Sequence, residues 1–92
     1  MKHPGLINKV QDTKNEVFEW SDNNFSRAQN IIKKYPNGRE QSAVLPLLDL
    51  AQRQNKGWLS VKAIEKVAET LSMSYIRVLE VATFYSMFNL EP

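Results

Sequence analysis

Three interruptions cut the sequence into apolar stripes of helical period, and they limit its fold more than any other feature: Pro36-Asn37-Gly38, Gly57 and Ser72-Met73-Ser74. Proline disfavours αR at the residue before it, Asn-Gly tolerates positive φ, and a serine ahead of an apolar run accepts from the free N–H groups of a helix start. Between the breaks, apolar residues return every three or four positions. Phe25, Ala28, Ile31, Ile32 and Tyr35 share one face of a first helix, which should begin near Asn24, where Asp22, Asn23 and Asn24 can each cap it. A second is predicted over Glu40 to Asn55, with Val44, Leu47, Leu48 and Ala51 as its stripe and Gly57 placed to end it in the left-handed region. Pro46 interrupts that segment, and a helix starting before Ser42 requires a local distortion there.

Ser60 caps a third helix to about Leu71, with Ile64, Val67, Ala68 and Leu71 on its inner side. Ser74 caps a fourth, running toward Phe88, with Val78, Leu79, Ala82 and either Tyr85 or Phe84 inward. The expected fold class is therefore all-α: a small bundle of four helices with short connections. Ahead of it, His3-Pro4-Gly5 and the polar run from Gln11 to Glu16 predict a flexible or weakly helical arm over residues 1–23, with the bundle domain over 24–92. Val17, Phe18 and Trp20 are available to anchor the arm on the core.

At 92 residues one small core is the most the chain can build. Twelve Lys and Arg against ten Asp and Glu leave a net charge of +2, too slight an excess for a polyanion-binding surface, so no nucleic acid is expected. The absence of cysteine removes disulfides, thiolate nucleophiles and iron–sulfur ligation. No run approaches the roughly 20 apolar residues of a membrane span, so direct membrane insertion is not expected. The first twenty residues mix Lys with Asp and Glu and hold no apolar signal core, which points to a cytoplasmic-type compartment.

Residues that could carry chemistry lack partners. His3 is the single histidine, Pro-Gly-flanked and without a neighbouring carboxylate; Glu65 and Glu69 are like charges one turn apart, better read as a solvated helix face than as an acid/base pair, and Glu80 is read likewise. Arg39 and Arg53 have no glycine-rich cradle beside them. No catalytic, cofactor-binding or metal residue is assigned, and the enzyme question is left open. The third and fourth helices with their tight turn have the outline of a helix-turn-helix, the alternative reading, but the would-be recognition helix offers only Arg77 among its many apolar residues. Those residues cover more than one face, so part of the fourth helix is expected to face a partner. Trp58, Val81, Phe84, Met87 and Phe88 are the candidate docking residues, Trp58 having the second possibility of plugging the gap between two helices.

Four ordered segments carry a family resemblance: Tyr35-Pro36-Asn37-Gly38-Arg39, the run Gln41 to Gln54, Gly57-Trp58-Leu59, and Val81 to Phe88. Over residues 25–92 the chain resembles the E subunit of respiratory NADH:quinone oxidoreductase. The resemblance implies a helical module that precedes a thioredoxin-like domain, in which four cysteines hold a [2Fe-2S] cluster. It implies two partners, the flavin- and NADH-binding subunit of complex I and the subunit's own C-terminal ferredoxin domain. The sequence is expected to stop where that ferredoxin domain begins, so no cofactor is expected in this chain. It implies a docking or scaffold role on the cytoplasmic side of the bacterial inner membrane through the parent complex, or in the mitochondrial matrix. Related NAD-linked hydrogenases and formate dehydrogenases use similar modules.

Overall fold

The computed structural model describes residues 17–85 and 88–91, and among these all the regular structure is helical. Four α-helices follow one another: α1 (Asp22–Lys33), α2 (Val44–Gln54), α3 (Val61–Leu71) and α4 (Tyr75–Phe84), with a 3₁₀ turn over Glu40–Ala43 leading into α2. The four-helix bundle anticipated from the periodicity is thus present. The histidine and the polar run up to Glu16 lie outside the described residues.

Serine starts three of the helices. Ser21, Ser60 and Ser74 are extended, and their hydroxyls accept from the backbone N–H of Asn24 (3.2 Å), Ala63 (3.1 Å) and Arg77 (3.2 Å). Each bond satisfies one of the donors that a helix start leaves free. The caps at Ser60 and Ser74 are those the sequence indicates. The first is a correction: α1 begins earlier than expected, capped by Ser21, with Asp22 in its first turn, where a carboxylate complements the helix dipole.

The Pro46 conflict is resolved by changing helix type. The 3₁₀ turn delivers the chain to Val44, so Pro46 falls third in α2, where its missing N–H is one of the groups a helix start leaves unbonded in any case. Before it, Arg39 N–H bonds to the Pro36 carbonyl at 2.8 Å across a turn in which Gly38 takes φ 87°. After α2, Gly57 N–H reaches the Gln52 carbonyl at 2.8 Å, and both Lys56 (φ 64°) and Gly57 (φ 95°) are left-handed. The end is of the kind expected, shared between two residues. Ser72 (φ 55°) closes α3 in the same way, its N–H on Glu69 O and that of Met73 on Ala68 O.

The core lies along α3, which packs between α2 and α4, with α1 laid against α2 and the 3₁₀ turn. Leu47, Leu48, Leu59, Ile64, Val67 and Val78 are its fully buried large apolar side chains. Residues 17–21 run extended onto this body. Phe18 is buried, its ring edge-on to Trp20 at 5.5 Å, and the Trp20 indole N–H donates to Thr70 Oγ1 at 3.0 Å. Gln54 completes the attachment: its side-chain oxygen accepts from Ser21 N (3.1 Å) and Asn24 Nδ2 (2.9 Å), and its amide donates to the Glu19 carbonyl at 2.7 Å. Phe18 and Trp20 anchor as anticipated. Val17 does not, being 81% exposed.

Candidate docking surface

The face of α4 turned from the core is set by its register. Val78 and Ala82 are buried, with Tyr75, Leu79 and Val81 packed at their flanks, which leaves Ile76, Arg77, Glu80, Thr83 and Phe84 outward. The outer face is therefore mixed, less apolar than the sequence suggests. Its apolar groups are Ile76 (59% exposed) and, about 12 Å further along the axis, Phe84 (81% exposed). Phe84 does not stand alone. The chain leaves the helix at Tyr85 in an extended conformation, and the two rings meet edge to face, centroids 5.2 Å apart. The result is a solvent-facing aromatic edge at the end of α4.

The other candidate residues distribute differently. Val81 is half-buried against the core. Trp58 is also half-buried, its carbonyl accepting from Asn55 Nδ2 at 3.0 Å, a placement in the corner between α2 and α3. Met87 lies outside the described residues. Phe88 is a correction, for it is only 7% exposed and belongs to the core. The physical reason is the length of α4: the helix stops at Phe84, short of the expected end, and the chain turns back so that Phe88 points inward. Tyr85 and Phe84 are a further correction: periodicity places one of them on the inner side of the helix, yet both are exposed, as is Ile76, because exposure depends on where the helix ends and which face α3 covers.

Residues 88–91 lie across the α2–α3 corner. Leu59 N–H donates to the Asn89 carbonyl at 2.7 Å, Asn89 N–H donates to Gln52 Oε1 at 2.6 Å, and Asn89 Nδ2 donates to the Gly57 carbonyl at 3.3 Å. Glu91 N–H bonds back to Asn89 Oδ1 at 3.2 Å. The return segment is thus tied through both the side chain and the backbone of Asn89.

Elsewhere on the surface, an open cleft of about 590 Å³ is lined by the extended residues, α1 and α3, through Trp20, Phe25, Lys66 and Thr70 among others. Phe25 faces it and is 54% exposed, a correction to its expected place on the inner stripe of α1. The Lys66 ammonium lies 2.8 Å from Glu19 and 3.0 Å from Glu69, and these hydrogen bonds, Glu19's first, raise its pKa above the ordinary lysine value. Glu65 meets Lys62 at 3.5 Å, and Asp49 takes Arg53 at 2.9 Å. Glu65 and Glu69 are thus engaged in ion pairs on an open helix face, the solvated-face reading of the sequence. Among the described residues every buried side-chain N or O atom has a hydrogen-bond partner, and no three His, Cys, Asp or Glu side chains gather where a metal could sit.

No helix of the described residues is long and apolar enough to cross a membrane. For the helix-turn-helix outline, the exposed side of α4 carries Arg77 together with the acidic Glu80, a poor match to base edges and phosphates.

Residues 28–92 match the family described as thioredoxin-like [2Fe-2S] ferredoxin. The chain is 60% identical over 80 residues to the E subunit of NADH-quinone oxidoreductase from Rickettsia typhi, covering 87% of this chain and 47% of that protein. The Rickettsia bellii counterpart is 60% identical over 81 residues, 88% of this chain and 48% of the relative. One Rhizobium meliloti E subunit of the same enzyme is 60% identical over 76 residues, 83% of this chain and 27% of that longer protein. The chain thus spans about half the length of the Rickettsia relatives it matches. A [2Fe-2S] cluster is held by thiolates. With no cysteine in the sequence, the residues present do not fit that group. From a match over residues 28–92 and the identity to these relatives, the chain belongs to the thioredoxin-like [2Fe-2S] ferredoxin family, as a sequence similar to its NADH-quinone oxidoreductase members.

Proposed function

We propose that this helical domain is a non-catalytic docking and scaffold unit of the E subunit of an NADH-quinone oxidoreductase. In this reading it holds the subunit against the flavin- and NADH-binding subunit and packs beside the subunit's own ferredoxin domain. It supports electron transfer from NADH without carrying electrons itself. The site of work is the cytoplasmic side of the bacterial inner membrane, reached through the parent complex.

The observation that carries this reading is the Phe84–Tyr85 edge: a pair of aromatic rings in contact, with Phe84 81% exposed, at the end of a helix whose inner face is already filled. Aromatic side chains bring large apolar area at low entropic cost and are enriched among the anchors of protein interfaces. The names of the relatives supply the parent enzyme. In the surface cleft the one cation among the described lining residues, Lys66, is already held by the carboxylates of Glu19 and Glu69.

The test is direct capture. The chain, immobilised at moderate salt, should retain the flavin- and NADH-binding subunit. A folded chain that fails to retain it would place the partner contacts elsewhere and remove the docking function from these helices.

A further inference from the structure

We infer that Gln52 is a positioning residue for the docking edge: its side-chain oxygen latches residues 88–91 onto the α2–α3 corner and thereby sets how Phe84 and Tyr85 are presented. The inference rests on the docking reading for its significance, but its mechanism stands on geometry within this chain.

Gln52 serves the corner twice. Its backbone carbonyl accepts Gly57 N–H at 2.8 Å, which closes α2, while its side-chain oxygen accepts Asn89 N–H at 2.6 Å. Asn89 in turn takes the Leu59 N–H on its carbonyl and gives its amide to the Gly57 carbonyl, so one residue of the return segment is bonded to three positions of the corner. Phe88, immediately before it, is buried, and its N–H bonds to the Tyr85 carbonyl at 3.2 Å. A continuous path therefore runs from Gln52 through Asn89 and Phe88 to Tyr85, whose ring meets Phe84 edge-on. Tyr85 keeps one helical bond, its N–H donating to the Val81 carbonyl at 3.2 Å, but its own backbone is already extended (φ −98°, ψ 117°). Beyond that bond its placement depends on the Phe88 N–H at its carbonyl, which the latch holds in position.

Only the oxygen of the Gln52 side chain is used on Asn89, so the substitutions separate cleanly. Gln52→Leu removes the acceptor and leaves the exposed Asn89 N–H to water, whereas Gln52→Glu keeps an acceptor in place. Amide hydrogen exchange on the free chain reads the outcome without any partner. In Gln52→Leu the Asn89 and Leu59 amides should exchange about tenfold faster, the scale of one lost hydrogen bond, while the Val67 amide in the middle of α3 changes less. The Tyr85 ring resonances should shift with them, and Gln52→Glu should restore both. Exchange at Asn89 and Leu59 that is unchanged in Gln52→Leu, or that rises only in step with Val67, overturns the latch. So does a Tyr85 signal that stays put. Because none of these readouts involves the flavoprotein, failure of the latch and failure of the docking reading are told apart.

Discussion

Trp20 and Thr70 stand fifty residues apart in sequence and 3.0 Å apart in space, the indole N–H of one donating to the hydroxyl of the other. This bond, with Phe18 buried beside it, joins the extended residues before α1 to α3. Thr70→Val keeps the shape of the side chain and deletes the acceptor, leaving a partly buried indole N–H without its partner. The expected cost is about 1 kcal/mol, read as a fall of about 4–8 °C in Tm for a domain of this size. An unchanged Tm would mean that the Trp20–Thr70 bond contributes nothing to stability.

The core assignment makes a stronger demand. Val67 and Ile64 are both buried, among side chains that are apolar apart from Ser60, so neither position offers a cation to pair with a new carboxylate. Val67→Asp or Ile64→Asp should abolish cooperative unfolding, because a buried unpaired charge costs more than the marginal stability of a chain this small. A far-UV spectrum and melting curve close to those of the parent would show that α3 does not centre the core.

Ser72 carries strain that glycine would relieve. A left-handed residue with a Cβ costs roughly 1–2 kcal/mol, and the additional unfolded-state freedom of glycine returns about 0.5–1 kcal/mol of that. Ser72→Gly should therefore stabilise by about 0.5–1 kcal/mol, seen as a higher urea midpoint with the same slope. The opposite prediction holds at Gly57, where φ is 95° and nothing lies within 4 Å of the place a Cβ would take: Gly57→Ala should destabilise by about 1 kcal/mol through backbone strain alone.

Alkaline pH should loosen the structure in a definite window. Hydrogen bonds from Glu19 and then Glu69 raise the Lys66 pKa, and burial followed by the Glu65 carboxylate raises that of Tyr75. A group whose folded pKa is raised contributes stability that is complete below its unfolded value, about 10 for both residue types, and loses it as pH climbs through the folded value. Urea midpoints should hold up to about pH 9 and fall above about pH 10, with a shallower fall in Lys66→Gln carrying Tyr75→Phe. Because the partners of Lys66 are exposed, 69% for Glu19 and 73% for Glu69, its share is small. An identical fall in the double variant would assign the alkaline limb to other groups.

The helices were legible because their signals are local. Ser60 and Ser74 each stand directly before an apolar run, and the stripe of α3 follows one period throughout, so the starts of α3 and α4 and the inner face of α3 follow from the sequence. At α1, four small polar residues in a row, Ser21 to Asn24, could each cap, and the choice of Ser21 depends on Gln54, which binds both Ser21 and Asn24 from another helix. Phe25 could not be placed without knowing that Trp20 and Thr70 close one side of a cleft beside it. The end of α4 mattered most for the candidate surface. Apolar residues continue to Phe88, so periodicity extends the helix, whereas Gln52 accepts from and Leu59 donates to Asn89, in a segment that has already turned back. Those contacts moved Phe88 into the core and left the exposed edge to Phe84 and Tyr85.

The most direct test of the docking account is a titration of the chain with the flavin- and NADH-binding subunit, comparing the parent sequence with Phe84→Ser. Phe84 is 81% exposed, so the substitution should leave Tm within about 2 °C, in line with the small effect of most surface changes. Loss of a buried aromatic anchor at an interface costs about 2 kcal/mol or more, and the account therefore expects Kd to rise by about thirtyfold. A Kd that is the same for both proteins, at equal stability, would contradict the claim that this edge docks the domain.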